Sequence, residues 1–238
     1  ALDGVDVVVN LAGKSLMEGS WNAGSKQAFL QSRLDALETL GHHWNGRTPY
    51  LISASAIGYY GMAADKFEVD EQSPAGHDFL AELCVQWEDM ARQVAPAALA
   101  IARVGVVLDP RGGALPQMAK PMQWFAGAVP GKGKQGLSWV HHRDISRAFR
   151  FLMDRALCGI YNFTGPEPVD VHQFMKTLAK VMHKPLWPTH VPPSLMRVAL
   201  DEKADLVTEG AFVYPKALLE AGFEFQFPDH ASALDSLH

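Results

Sequence analysis

The sequence predicts an α/β protein: a doubly wound parallel sheet with helices on both faces, followed by a smaller C-terminal α/β region suited to binding a substrate. Two observations lead there. Short runs rich in β-branched residues recur along the chain, and each is followed by a segment with helical periodicity. That alternation is the rhythm of βαβ units. The runs are also apolar almost continuously rather than at every second residue. Strands need that pattern when both faces are covered, which is the condition of a parallel sheet.

The first run is Val5, Val7, Val8 and Val9, ending at Asn10-Leu11-Ala12-Gly13. The spacing then predicts a helix over residues 22–40, with Leu30, Leu34, Leu37 and Leu40 as its apolar stripe and Gly41 as its stop. A second strand covers 50–53 and runs into a Ser/Gly/Tyr-rich segment. Asp78 is the expected cap of a helix reaching Val94, with Leu80, Leu83, Cys84, Trp87 and Ala91 on one face. A third strand covers 99–107. After Leu108 glycines and prolines crowd together, so residues 109–238 are expected to form mainly a substrate-binding domain with pocket-shaping loops. A helix is expected within 115–125. Helix 143–153, strand 160–163, helix 171–182 and strand 187–191 follow, then short helices near Leu195, Lys216 and Ala231. Residues 137–163 are expected to return to the first sheet, and Asp144 to cap the helix that follows it.

Composition excludes several classes of function. The 238 residues are 48% hydrophobic and 20% charged, ordinary for a globular protein with room for one large domain or two small ones. A net charge of −5 argues against nucleic-acid binding, which favours clustered Lys and Arg. No apolar run approaches the roughly 20 residues of a membrane helix, and no membrane partner is expected. The start of the chain lacks a signal-peptide core, and its two cysteines, Cys84 and Cys158, suit a reducing compartment, so the expected location is the cytoplasm. Neither the cysteines nor the adjacent pairs His42-His43 and His141-His142 have chelating spacing, and no metal site is expected.

Four segments together carry a family resemblance: Asn10-Leu11-Ala12-Gly13; the stretch Ser53-Ala54-Ser55-Ala56-Ile57-Gly58-Tyr59-Tyr60-Gly61; Arg103-Val104-Gly105-Val106-Val107-Leu108 after Trp87-Glu88; and Trp139-Val140-His141-His142-Arg143-Asp144. In this order and spacing the chain resembles the extended short-chain dehydrogenase/reductases over essentially its whole length. It is most similar to a subgroup described as NAD-dependent nucleoside-diphosphate-sugar epimerases, whose C-terminal domain has no assigned function. Leu218-Leu219-Glu220-Ala221-Gly222-Phe223 is typical of that subgroup. The resemblance implies a Rossmann-like fold binding NAD or NADP, with residues 1–108 forming the remainder of the cofactor domain. The family's glycine-rich strand-turn-helix would lie before Ala1, so the chain is expected to be part of a longer one lacking the N-terminal strands here.

The resemblance also assigns roles. Asn10, Leu11, Ala12 and Gly13 match the segment beside the cofactor, and Ser53 and Arg103 join it as cofactor-binding or wall residues. Ser55, aligned from its strand, takes the place of the catalytic Ser/Thr. Tyr60 matches a pocket-shaping tyrosine, and Tyr59 is a second catalytic candidate. Lys132, Lys134 and Gln135 lie on a loop that borders the substrate pocket in this family, where either lysine would meet a phosphate. The family's Tyr-x-x-x-Lys pair is absent: counting back from Glu88, its places hold Leu80 and Cys84, and a shift of one gives Phe79 and Leu83. Val106 stands where the family often has an asparagine. The implied function is an NAD(P)-dependent oxidoreductase or epimerase acting on a small polar substrate, a nucleotide sugar among the options. The alternative is a non-catalytic NAD(P)-binding sensor. The oligomeric state stays open, with a homodimer one form.

Overall fold

The computed structural model describes residues 4–17, 19–44, 48–61 and 68–237. In chain order the elements are β1 (Val7–Asn10), α1 (Ala23–His42), β2 (Tyr50–Ala56), β3 (Glu68–Val69), α2 (Phe79–Val94), β4 (Leu99–Val104) and β5 (Val106–Leu108). Next come α3 (Ala114–Gln123), β6 (Gly127–Pro130), β7 (Gly136–Leu137), β8 (Trp139–His141), α4 (His142–Arg155), β9 (Gly159–Phe163), β10 (Val169–Asp170) and α5 (Val171–Val181). The chain ends with β11 (Leu186–Val191), α6 (Pro193–Leu200), α7 (Asp205–Thr208), β12 (Phe212–Val213), α8 (Lys216–Glu220) and α9 (His230–Asp235).

The apolar runs assemble as their pattern requires. β1, β2, β4 and β9 lie in that order in one sheet, and every neighbouring pair is parallel. Helices cover both faces. On one side Phe29 and Leu37 of α1 meet Leu83, Trp87 and Ala91 of α2. On the other, Ala148 and Leu152 of α4 pack with Ile52, Phe163, Leu218 and Phe223. Removing side chains of this size from water stabilises a fold by about 1.5–3 kcal/mol each. A third cluster, built on Trp139, Phe174, Leu178 and Leu234, forms the core of the C-terminal part.

Three expectations need correction. The strand predicted over 99–107 is two strands. Gly105 N still donates to Phe163 O of β9, but Val106 N turns to Ser138 O at 2.8 Å, and β5 then pairs in parallel with β8. A Cβ at position 105 would run into the Ser138 carbonyl, so a glycine is needed where the chain changes partner. The buried face of α1 is also rotated from the leucine stripe: Phe29, Arg33 and Leu37 are buried, whereas Leu30, Leu34 and Leu40 are half-buried. Finally, Asp144 does not cap α4. His141 does, its Nδ1 accepting from Arg143 N at 3.1 Å. The Asp144 carboxylate instead accepts from Gln226 N and Phe227 N, both at 2.9 Å, and from Arg147 at 2.7 Å.

Other local expectations hold. Asp78 caps α2 by accepting from Ala81 N at 2.9 Å, and α1 begins beside Asn22, which caps it through Ser25 N, a role the sequence had not assigned. Helices stand near Leu195, Lys216 and Ala231. No helix among the described residues is long and apolar enough to cross a membrane.

Candidate active site

Sheet register brings the site together. In a parallel sheet, residues paired across neighbouring strands point their side chains to the same face. Ser55 pairs with Arg103 and Arg103 with Asn162, so the three form one row across β2, β4 and β9. Asn10 pairs with Ser53 one strand further out. These residues lie toward the carboxyl ends of their strands, the edge at which open α/β sheets bind ligands.

Glu88 organises the row. It sits on the buried face of α2, and both it and Arg103 are only 1% exposed. Arg103 Nε and Nη2 donate to its two carboxylate oxygens at 2.8 and 2.9 Å, a planar two-point pairing. Ser55 Oγ donates to Glu88 Oε1 at 2.8 Å, and Arg92 Nη2 to Oε2 at 3.0 Å. Arg103 Nη1 donates to the Tyr60 hydroxyl at 3.0 Å, which donates to Asn162 Oδ1 at 2.7 Å. Burial alone would lower the pKa of the Arg103 guanidinium, but Glu88 and Tyr60 outweigh it and hold it above its ordinary value. Burial also pushes the Tyr60 phenol up to about 12, against the pull of Arg103 beside it. Tyr60 is therefore a neutral hydrogen-bonding relay near neutral pH.

Tyr59 has different surroundings. Its ring lies against the Arg103 guanidinium, whose central carbon is 3.3 Å from the ring centroid. The ring is half-buried, and its hydroxyl has no hydrogen-bond partner among the described residues. The network thus joins Ser55, Tyr59, Tyr60 and Arg103, and Tyr59 presents a free phenol beside a fixed cation.

The loop after β1 is open. Leu11, Ala12 and Gly13 are exposed, while Asn10 is 5% exposed, its Oδ1 accepting from Ala12 N at 3.2 Å. The Asn10 Nδ2 amide is buried with nothing to donate to among the described residues. Ser53 is buried and donates to the Ala54 carbonyl at 3.3 Å. Lys132 and Lys134 are exposed on the loop between β6 and β7, and Gln135 is buried there, donating from Nε2 to Pro130 O at 3.0 Å.

At the places of the missing Tyr and Lys the structure has core residues. Leu80 and Cys84 are both buried, and the thiol faces Ala56 O at 3.7 Å. Burial, then the neighbouring Glu88, pushes that thiol up to about 12, far from the thiolate a nucleophile needs.

Glu88 entered the sequence reading only as part of a motif and Asn162 not at all, yet both belong to this network. A carboxylate on an apolar helix face, beside Leu80, Cys84, Trp87 and Ala91, was a signal that a buried cation must meet it. Arg103, within an apolar strand, is that cation.

Comparison with known proteins agrees with this architecture. The family model described as Domain of unknown function (DUF1731) matches residues 191–237. "Epimerase family protein YfhF" of Bacillus subtilis is 36% identical over 98% of this chain and 78% of its own. The chloroplastic SDR39U1 homologue of Arabidopsis thaliana is 35% identical over 99% of this chain and 69% of its own. The crystal structure of human epimerase family protein SDR39U1, solved with NADPH, superposes with a TM-score of 0.90 at 26% identity, covering 98% of this chain and 81% of that one. UDP-glucuronic acid 4-epimerase from Bacillus cereus, at 16% identity and a TM-score of 0.76, shares the fold. The chain belongs to the epimerase family of extended short-chain dehydrogenase/reductase proteins, with a DUF1731 domain at its C-terminal end.

Proposed function

We propose that this protein is an NAD(P)-dependent oxidoreductase or epimerase acting on a small polar substrate, with a nucleotide sugar as the first class to test. The observation that carries the reading is Asn10. Its amide is buried at the carboxyl end of a parallel strand with a donor left unfilled, beside three exposed small-to-medium residues that let a ligand reach the backbone. Such a donor fits the ribose and phosphate oxygens of a dinucleotide. The NADPH in the human relative's structure supports the same occupant. Asn10 through Gly13 and Ser53 would hold it, with Arg103 as the fixed wall. When bound, the nicotinamide supplies or takes up a hydride.

This chain's own residues supply the rest. Ser55, held by Glu88, keeps lone pairs to accept from a substrate hydroxyl. Tyr59 is the proton donor or acceptor, its ring lying against the fixed Arg103 guanidinium. Tyr60, Lys132, Lys134 and Gln135 form the substrate side, the two lysines receiving phosphate. A second reading, a cofactor sensor without turnover, is favoured by the burial of Leu80 and Cys84 where the family's acid/base pair belongs.

The deciding experiment titrates the full-length protein with NADH and NADPH by calorimetry. Cofactor absorbance is then followed with a panel of aldehydes, ketones and sugar nucleotides. Turnover abolished by both Ser55→Ala and Tyr59→Phe supports the enzyme. Binding with no turnover across the panel supports the sensor, and absence of binding rejects both.

A further inference from the structure

Arg33 is 9% exposed, on the face of α1 turned toward α2 and the loop after β1. Its guanidinium carbon lies 4.8 Å from the Trp87 ring. Nη1 donates to two backbone carbonyls, Phe29 at 2.7 Å and Lys14 at 3.2 Å. Nε donates to nothing, and no carboxylate pairs with the side chain among the described residues. A buried cation without an anion is expensive, and natural proteins pair such groups or use them.

Two observations beyond the charge point to a ligand. Trp87 Nε1 and Asn10 Nδ2 are also buried and unfilled. With Arg33 Nε that makes three unfilled groups, one on the ring that Arg33 stacks against and one on the strand end that leads into its loop. All three are donors, so what they lack is an acceptor. The second observation is Gly13, where a Cβ would stand 3.0 Å from Arg33 Cζ and 3.2 Å from Nε. Glycine lets the exposed loop lie directly on the guanidinium, at the edge of the sheet where ligands bind.

We propose that Arg33 is a phosphate-binding residue of the dinucleotide site, its guanidinium reaching a phosphate oxygen across the loop at Gly13. The proposal rests on the dinucleotide reading above. Two groups have the required chemistry: the diphosphate bridge common to NADH and NADPH, and the 2′-phosphate that NADPH alone carries.

The test uses full-length wild type, R33K and R33Q, titrated by calorimetry with NADH, NADPH and inorganic pyrophosphate, with thermal unfolding of each protein without ligand. A charge-assisted hydrogen bond predicts that R33Q binds about tenfold to a hundredfold more weakly. R33K, which keeps the charge but loses the planar fork, falls between R33Q and wild type. Loss for both nucleotides assigns the diphosphate, and loss for NADPH alone assigns the 2′-phosphate. R33Q with wild-type affinity for all three probes overturns the proposal, as does a large loss of unliganded stability with affinities unchanged. Should R33Q fail to fold, wild-type affinity in R33K overturns it too. Wild type that binds pyrophosphate but neither nucleotide would reject the cofactor reading and leave Arg33 to be judged on pyrophosphate alone.

Discussion

Arg103 and Arg33 are both buried arginines, yet they meet opposite surroundings. Arg103 faces a carboxylate that takes two of its hydrogen bonds, a tyrosine hydroxyl that takes a third, and a ring that covers its face. Arg33 has two backbone carbonyls, an indole, and a nitrogen with no acceptor. A guanidinium whose every nitrogen already has an acceptor inside the protein acts as framework. One left incomplete at a ligand-binding edge is available. If Arg33 binds phosphate as proposed, the two positions separate structure from recognition more sharply than residue type or burial does.

The contrast breaks most readily at Glu88. Glu88→Gln leaves the Arg103 charge buried with no counter-ion, and removing one partner of such a pair costs about 3–5 kcal/mol. Urea unfolding should show that loss in the unliganded protein, whereas R33Q should unfold near the wild-type midpoint. Equal losses in the two variants would end the distinction.

His141 meets the same problem a third way, by staying neutral. It is buried between His142 and Phe227, and burial, then the charge of His142, lowers its pKa from 6.5 to about 4. The unfolded chain takes up a proton near pH 6.5 while the folded ring resists until about 4. The stabilisation is complete above about 6.5 and is lost as pH falls to about 4, amounting to roughly 3 kcal/mol at about 1.4 kcal/mol per unit. His141→Asn keeps an acceptor for the helix cap and should lose markedly less stability than wild type between pH 7 and pH 4. Parallel curves for the two proteins would remove His141 from the explanation.

A smaller effect sharpens the roles around Glu88. Ser55→Ala deletes one hydrogen bond and leaves Arg103 paired, so stability should fall by about 1 kcal/mol and cofactor affinity should be unchanged. Turnover, if Ser55 acts as proposed, should fall by about a hundredfold or more. Cys84→Ser should be mildest, on the order of 1 kcal/mol from a buried site and no loss of turnover. Activity that survived Ser55→Ala but vanished in Cys84→Ser would reverse the two assignments.

The sheet was legible because continuous apolar runs such as Val7 to Val9 admit few other placements, and the cap at Asp78 has a clear local signature. The missed features were those decided by distant partners. Nothing local shows that β4 ends at Gly105, since the break depends on β8 coming alongside. Arg33 lay outside the leucine stripe because periodicity scores apolar residues, and a buried cation is invisible to it. Asp144 looked like a cap because the backbone N–H groups that occupy it come from more than eighty residues later in the chain.

That last contact bears on how the C-terminal segment is attached. A side chain in the first turn of α4 grips the backbone N–H groups of Gln226 and Phe227, Phe227 stacks on His141, and the Ser236 hydroxyl meets His141 Nε2 at 3.1 Å. The tail is thus fastened twice, by its backbone at Gln226 and Phe227 and by the side chains of Phe227 and Ser236 at His141. Cutting it away would strip a buried carboxylate of two donors and open the pocket of a neutral histidine. The matched C-terminal domain is thus less an appendage than a clasp, and it should come loose only when α4 itself unfolds.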